Sequence, residues 1–311
     1  MSRIREALKK AAEERSAVSS TQGVEDVGDI LDSALPEVTP SVAQLVATVT
    51  TPAPAPPATA RKVTPPPPTD YANFAAKCRH VRWNIEPRYS VFANETNHRA
   101  GAERFRTLRS RLHQIAAAQP LRRVLLTSSV PQEGKTFVAS NLAQSIVRQA
   151  DRKVLLIDAD LRASRLNVTL GAESVPGLSD YLTGDTDLTK VVQVGGEGNL
   201  CFIPGGREVP NPSELLHSDR MSGLLDKMGH IFDWIILDSP PAIAVHDPSI
   251  LADMCDGVLF VIRAGSTDFE MAQKAIAEFP EKKLLGVVLN RVDKNDSYGE
   301  YYYGYSKERD E

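Results

Sequence analysis

Arg123-Val124-Leu125-Leu126-Thr127-Ser128-Ser129-Val130-Pro131-Gln132-Glu133-Gly134-Lys135-Thr136 decides how the rest of the chain is read. The run 123–127 has an unbroken aliphatic centre, Val124-Leu125-Leu126, as in a strand buried on both faces. It enters a short loop closed by Gly-Lys-Thr, and a helical pattern follows over 135–149. Strand, tight loop and helix in this order form a phosphate-binding loop, or P-loop. Its backbone N–H groups and the helix start point at phosphate oxygens. Gly134 allows close approach, Lys135 reaches the β- and γ-phosphates, and the Thr136 hydroxyl holds Mg2+. ATP and Mg2+ are therefore the expected cofactors. The expected nucleotide contacts are Ser129, Val130, Pro131, Gln132, Glu133, Gly134, Lys135, Thr136 and Phe137. Ser129 stands where GxxxxGK[ST] has its first glycine. A chance Gly-Lys-Thr in a solvated turn is the bland alternative, and the flanking strand and helix disfavour it.

Further apolar runs at 154–158, 200–203, 234–238, 258–263 and 285–290 read as parallel strands, and 213–229 and 268–278 read as crossover helices. This alternation predicts an α/β fold: an open, mostly parallel sheet with helices on both faces. Ligands of such sheets bind at the carboxyl ends of the strands. Two runs end in acid there. Val-Leu-Leu-Ile leads into Asp158 and Asp160, and Trp-Ile-Ile-Leu into Asp238. A carboxylate at the end of a buried strand is costly unless paired, and Mg2+ on a nucleotide would pair it. Each aspartate alone reads equally as a cap or turn former; three beside a P-loop do not. Thr136, Asp160 and Asp238 are the expected metal-side residues. Asn290 ends the last run, where a contact to an adenine edge and a plain turn residue fit it equally.

The 311 residues are 42% hydrophobic and 24% charged, ordinary for a globular protein, and the net charge of −4 argues against a nucleic-acid partner. Cys78, Cys201 and Cys255 lie far apart and read as reduced thiols of a cytosolic protein. The start has no apolar signal core, and no stretch approaches the roughly 18 apolar residues of a membrane span. Ten of the 21 prolines fall between Pro36 and Pro68, in a segment too poor in aromatics to offset its ordering entropy. Before it, Ile4, Ala7, Leu8 and Ala11 recur at helical spacing. The expected division is an arm at 1–88, a nucleotide-binding domain at 89–297 and a tail at 298–311. In that tail, Tyr298, Tyr301, Tyr302, Tyr303 and Tyr305 are five of the chain's eight tyrosines.

Taken together, these blocks resemble the bacterial tyrosine kinases of capsule and exopolysaccharide synthesis. The resemblance runs from about residue 103 to 305. It includes SSVPQEGKT, the DxDxR of Asp158, Asp160 and Arg162, LDSPP at Asp238, GLSDYL at 177–182, NPSELL at 211–216, GVVLNRVD at 286–293 and the tyrosine tail. Gln132 departs from the glycine common in that family. The resemblance implies a P-loop kinase that phosphorylates its own tail tyrosines across subunits. Lys135, Asp158 and Asp160 would be catalytic, with Asp158 the candidate base and the division between the two aspartates open. Glu103, Arg106 and Arg109, three apart on a helix, are similar to the family's ring-forming motif; on composition alone they read as a solvated charged face. The implied partners are other copies in a ring, a membrane-bound polysaccharide co-polymerase acting as activator, and a cognate tyrosine phosphatase. The implied location is the cytoplasm, with recruitment to the inner face of the membrane.

Two other readings compete. A partition or positioning ATPase would carry a lysine early in the loop, where this chain has Val130. A nucleotide-binding scaffold would not need Lys135, Thr136 and all three aspartates.

Overall fold

The computed structural model describes residues 69–93, 95–195 and 199–292. The proline-rich arm and the tyrosines at 298–305 lie outside these residues. In chain order the elements are α1 (Thr69–Ala75), β1 (Arg79–His80), α2 (Glu95–Ala118), β2 (Arg123–Ser128), α3 (Lys135–Val147), β3 (Val154–Asp158), α4 (Leu166–Leu170), α5 (Leu178–Thr183), α6 (Leu188–Val191), β4 (Gln193–Val194), β5 (Leu200–Ile203), α7 (Pro212–Leu216), α8 (Asp219–Gly229), β6 (Trp234–Asp238), α9 (Asp247–Met254), β7 (Gly257–Arg263), α10 (Phe269–Ala277) and β8 (Leu284–Asn290).

The strands form one sheet in the order β1-β4-β5-β3-β6-β2-β7-β8. All pairs from β5 to β8 are parallel, whereas β4 is antiparallel to β5. The central strands are apolar along both faces up to their carboxyl ends because successive side chains enter opposite cores. Leu125, Leu155, Ile157, Ile235, Leu237 and Phe260 pack toward α1, α5, α8, α9 and α10. Val124, Leu126, Val154, Leu156, Ile236 and Val261 pack toward α2 and α3. Helices thus cover both faces, as expected from the sequence.

The strand order places the site. β6 lies between β2 and β3, so the P-loop, Asp238 and Asp158 leave from neighbouring strand ends. Asp158 is registered directly opposite Asp238, and Leu126 of β2 flanks Asp238 on its other side.

Two expectations are corrected. The packed unit begins before residue 89. Tyr71 of α1 meets Phe232 edge to face at 5.5 Å between ring centroids, and its hydroxyl lies 3.6 Å from Cys201 Sγ. β1 extends the sheet beside β4. A seven-residue helix and a two-residue strand are too short to leave a periodic signal. The helix expected over 213–229 is divided into α7 and α8, because Ser218 caps α8 by accepting a hydrogen bond from Met221 N.

Tyr71→Ala is expected to cost about 3 kcal/mol and to lower Tm by roughly 6–12 °C, measured by calorimetry. An unchanged Tm would make residues 69–88 an appendage rather than part of the domain.

Candidate active site

The loop joining β2 to α3 is shaped by backbone constraint. Gln132 (φ 67°) and Gly134 (φ 95°) both occupy the left-handed region. Glycine is required at 134 twice over, because a Cβ there would lie 2.0 Å from Asn290 Nδ2. Gln132 adopts a conformation natural to glycine, at a cost of about 1 kcal/mol, which explains why glycine suits this position. Inside the loop, the buried Glu133 carboxylate accepts from Val130 N at 2.9 Å and from the Thr267 hydroxyl. Asn290 Nδ2 donates to the Glu133 carbonyl at 2.8 Å, and its Oδ1 accepts from Arg291 N at 3.0 Å. The Asn290 amide therefore closes on the P-loop backbone, which neither reading of the sequence anticipated. Glu133 turns inward as a brace of the loop. The loop is thus pinned to the ends of β7 and β8.

Lys135 and Thr136 open α3. Lys135 Nζ lies 3.1 Å from Asp160 Oδ2. The Thr136 hydroxyl donates to Asp238 Oδ2 at 2.6 Å, while Asp238 Oδ1 is buried without a hydrogen-bond partner. Asp158 is enclosed differently. Its Oδ2 accepts from Ser164 Oγ (2.7 Å), Arg165 N (3.1 Å) and Leu166 N (3.0 Å), and its Oδ1 from Asp160 N (3.2 Å). Asp160 Oδ1 accepts from Ala163 N at 3.0 Å. Asp158 therefore ties down the loop that follows β3, and Asp160 reaches across to the P-loop lysine.

One ammonium faces three buried carboxylates here. Burial pushes Asp158 up to about 6, an effect its hydrogen bonds oppose and Asp160 reinforces. Burial likewise pushes Asp238 up to about 7, with Lys135 pulling down and Asp158 pushing up. Burial alone would lower the Lys135 ammonium, but Asp238, Asp160 and Asp158 outweigh it and hold it above the ordinary value. Surplus negative charge and the orphaned Asp238 oxygen fit a divalent cation. Among the described residues no three His, Cys, Asp or Glu cluster to hold a metal by themselves. One hydroxyl and one carboxylate suit Mg2+ carried on a phosphate chain, with water and phosphate completing its shell.

Residues 126–310 match the model of the CobQ/CobB/MinD/ParA nucleotide-binding domain family, CbiA. The chain is 36% identical over 207 residues to tyrosine-protein kinase YwqD of Bacillus subtilis, covering 65% of this chain and 86% of that protein. It is 34% identical over 224 residues to tyrosine-protein kinase etk of Escherichia coli strain K12, covering 67% of this chain and 31% of that one. The solved kinase domain of Escherichia coli tyrosine kinase ETK is similar with a TM-score of 0.59 and 36% identity, over 63% of this chain and 77% of that one. The chain belongs to the bacterial tyrosine kinases. Their sheet and P-loop are those of the wider MinD/ParA family.

In this kinase, Lys135, Thr136, Asp158, Asp160 and Asp238 converge as the sequence suggested. Phe137 faces away from them and lines a cavity of about 650 Å3 between α2 and β8, with Phe105, Leu108 and Leu289. Glu103, Arg106 and Arg109 do not form one outward face. Glu103 and Arg106 pair at 2.6 Å near the surface. Arg109 turns inward and donates to the Ser145 carbonyl at 2.6 Å, in the last turn of α3. Ser164 and Thr267 were not foreseen, because a lone hydroxyl in a loop carries no pattern.

A carboxyl that keeps its proton longer in the folded than in the unfolded chain makes stability fall as pH rises between the two values. Without nucleotide, the kinase is therefore expected to lose stability from about pH 4 to about pH 7. Asp238→Asn should flatten this decline and raise Tm at pH 8 by roughly 2–4 °C, while abolishing the Tm rise that Mg-ATP gives the wild type. Thermal denaturation across pH, with and without Mg-ATP, measures both; a lower Tm in the variant at pH 8 would refute the charge argument.

Proposed function

We propose that this protein is an ATP-dependent protein tyrosine autokinase that transfers the γ-phosphoryl group to tyrosines 298–305 of a neighbouring copy, and so regulates the polymerisation and export of an exopolysaccharide or capsule. The observation that carries the reading is the meeting of Lys135, Thr136, Asp160 and Asp238 at the mouth of the P-loop.

Bound Mg-ATP would supply the transferable phosphoryl group and neutralise charge on the phosphate chain. Lys135 is placed to leave Asp160 for the phosphates, exchanging one anionic partner for another. Thr136 and Asp238 would hold the cation, and the raised affinity of Asp238 for a proton falls away once a cation replaces it. Freed from Lys135, Asp160 Oδ2 is open to the acceptor hydroxyl and takes its proton. This assigns the base to Asp160 rather than Asp158, whose two oxygens are already engaged by loop donors. The loop amides between 130 and 134 are positioned before substrate arrives, so little reorganisation accompanies transfer.

Val130 in place of the early lysine of positioning ATPases supports the kinase reading over that alternative. Among the described residues no helix is long and apolar enough to cross a membrane. Recruitment to the cytoplasmic face of the membrane by a separate co-polymerase, assembly with further copies and reversal by a tyrosine phosphatase complete the proposal. Because Arg109 holds α3, a charge reversal at that residue would disturb the domain as well as any ring; Arg106 is the cleaner probe of assembly.

Incubation with Mg-ATP and the cytoplasmic segment of the co-polymerase, followed by phosphosite mapping by mass spectrometry, tests the proposal. Phosphotyrosine is expected within 298–305 and is expected to fall by at least about 100-fold in Lys135→Met. ATP hydrolysis with no phosphotyrosine would support the positioning-ATPase reading instead.

A further inference from the structure

Arg162, the arginine of the DxDxR block, feels the Asp160 charge but makes its hydrogen bonds outside the Lys135 cluster, and none of the chemistry above uses it. Its Nε donates to Asp247 Oδ2 at 2.8 Å, and its Nη2 to Asp247 Oδ1 at 3.3 Å and to Ser213 Oγ at 2.9 Å. The Ser213 hydroxyl in turn donates to Asp247 Oδ1 at 2.5 Å. Asp247 is fully buried, while the Arg162 side chain is 40% exposed. These three residues belong to three separate crossovers: the loop after β3, the start of α7 after β5, and the start of α9 after β6. All three crossovers leave the carboxyl edge of the sheet, where the site lies.

We infer that the Arg162–Asp247–Ser213 clamp is the device that positions the Asp158–Asp160 loop for transfer; the inference rests on the kinase reading for what is transferred. The loop 159–165 is short: Ala159, Asp160 and Leu161 are buried, while Arg162, Ala163 and Arg165 are exposed. From inside, Asp158 and Asp160 hold it by accepting from its own backbone and from Ser164. Its inner edge is also tied outward, by Asp160 to Lys135 of the P-loop and by Ala159 N to the Asp238 carbonyl. Arg162 fastens the outer edge to two helix starts that pack on each other, so the loop's own bonds open less often while the fork holds. The planar fork of an arginine matches the two carboxylate oxygens side by side. A lysine would offer one point of attachment and let the loop swivel. An error near 1 Å at a reacting group costs about 100-fold in rate, so Asp160 depends on this tie although Arg162 touches no reacting atom. Arg162 is therefore a positioning residue, and Ser213 and Asp247 are its seat.

The test uses the full chain as Arg162→Lys, Ser213→Ala and Asp247→Asn. Ser213→Ala guards against misfolding, since it leaves the ion pair intact. Three quantities are read: ATP affinity, turnover measured both as phosphotyrosine and as released phosphate, and amide hydrogen exchange at 163, 165 and 166 without nucleotide. The expected result is exchange faster by about tenfold or more at those amides. Turnover should be lower by about 10-fold in Ser213→Ala and about 100-fold in Arg162→Lys, with ATP affinity within about twofold of wild type. Unchanged exchange, or an affinity loss as large as the turnover loss, overturns the clamp. Should wild type release phosphate without making phosphotyrosine, the kinase reading fails while the clamp is still judged on phosphate release; should it do neither, the exchange result alone decides the clamp.

Discussion

One buried ammonium set against three buried carboxylates is the constraint around which this molecule is arranged. Taking charges out of water costs several kcal/mol per ion, and Lys135 cannot compensate Asp158, Asp160 and Asp238 together. The fold meets the cost in two ways. It saturates Asp158 with donors from one short loop, and it leaves Asp238 partly unsatisfied, with Oδ1 lacking a partner. The unsatisfied group has a use. Its preference for a proton is a measure of how strongly the pocket favours an added positive charge, whether a proton or a metal ion.

Sheet order makes that arrangement possible. If β2 and β3 were adjacent, Asp238 would not stand between the P-loop and Asp158. Inserting β6 between them brings a third strand end into the pocket, in direct register with Asp158. The two-sided burial of β2, β3 and β6 keeps these ends rigid, so the charged groups sit on the stiffest part of the molecule. The P-loop is braced from the other direction by Glu133, Thr267 and Asn290, which tie it to the ends of β7 and β8. Loops that would otherwise move independently are fastened on both flanks of the pocket.

The parts legible in the sequence share a physical origin. Strands covered on both faces are apolar on both, so 154–158, 200–203 and 234–238 stand out, and the acid that ends two of these runs is conspicuous. Lys135 and Thr136 were legible because phosphate binding demands a local backbone motif. What escaped depends on distance in space rather than on local pattern. The Arg109 to Ser145 bond, the Thr267 brace and the tie of Tyr71 to Phe232 each join residues far apart in sequence, and nothing on either side marks them. Glu103, Arg106 and Arg109 lie on α2 as their spacing implies, but spacing cannot tell which way a long side chain turns.

Asp158 and Asp160 show how the two kinds of information combine. In sequence they are alike, two residues apart at one strand end, and either could serve as the base. Strand alternation does not separate them, because the chain has left the sheet by residue 159. Hydrogen bonding does: Asp158 Oδ2 gathers two backbone amides and a hydroxyl, which would oppose giving it up to a substrate proton, whereas Asp160 Oδ2 is held by a lysine that has a better anion to go to. A carboxylate whose oxygens accept from four loop donors and one whose Oδ2 faces an exchangeable cation are different chemical objects, and under the proposed reaction the second takes a proton with less disturbance of the loop.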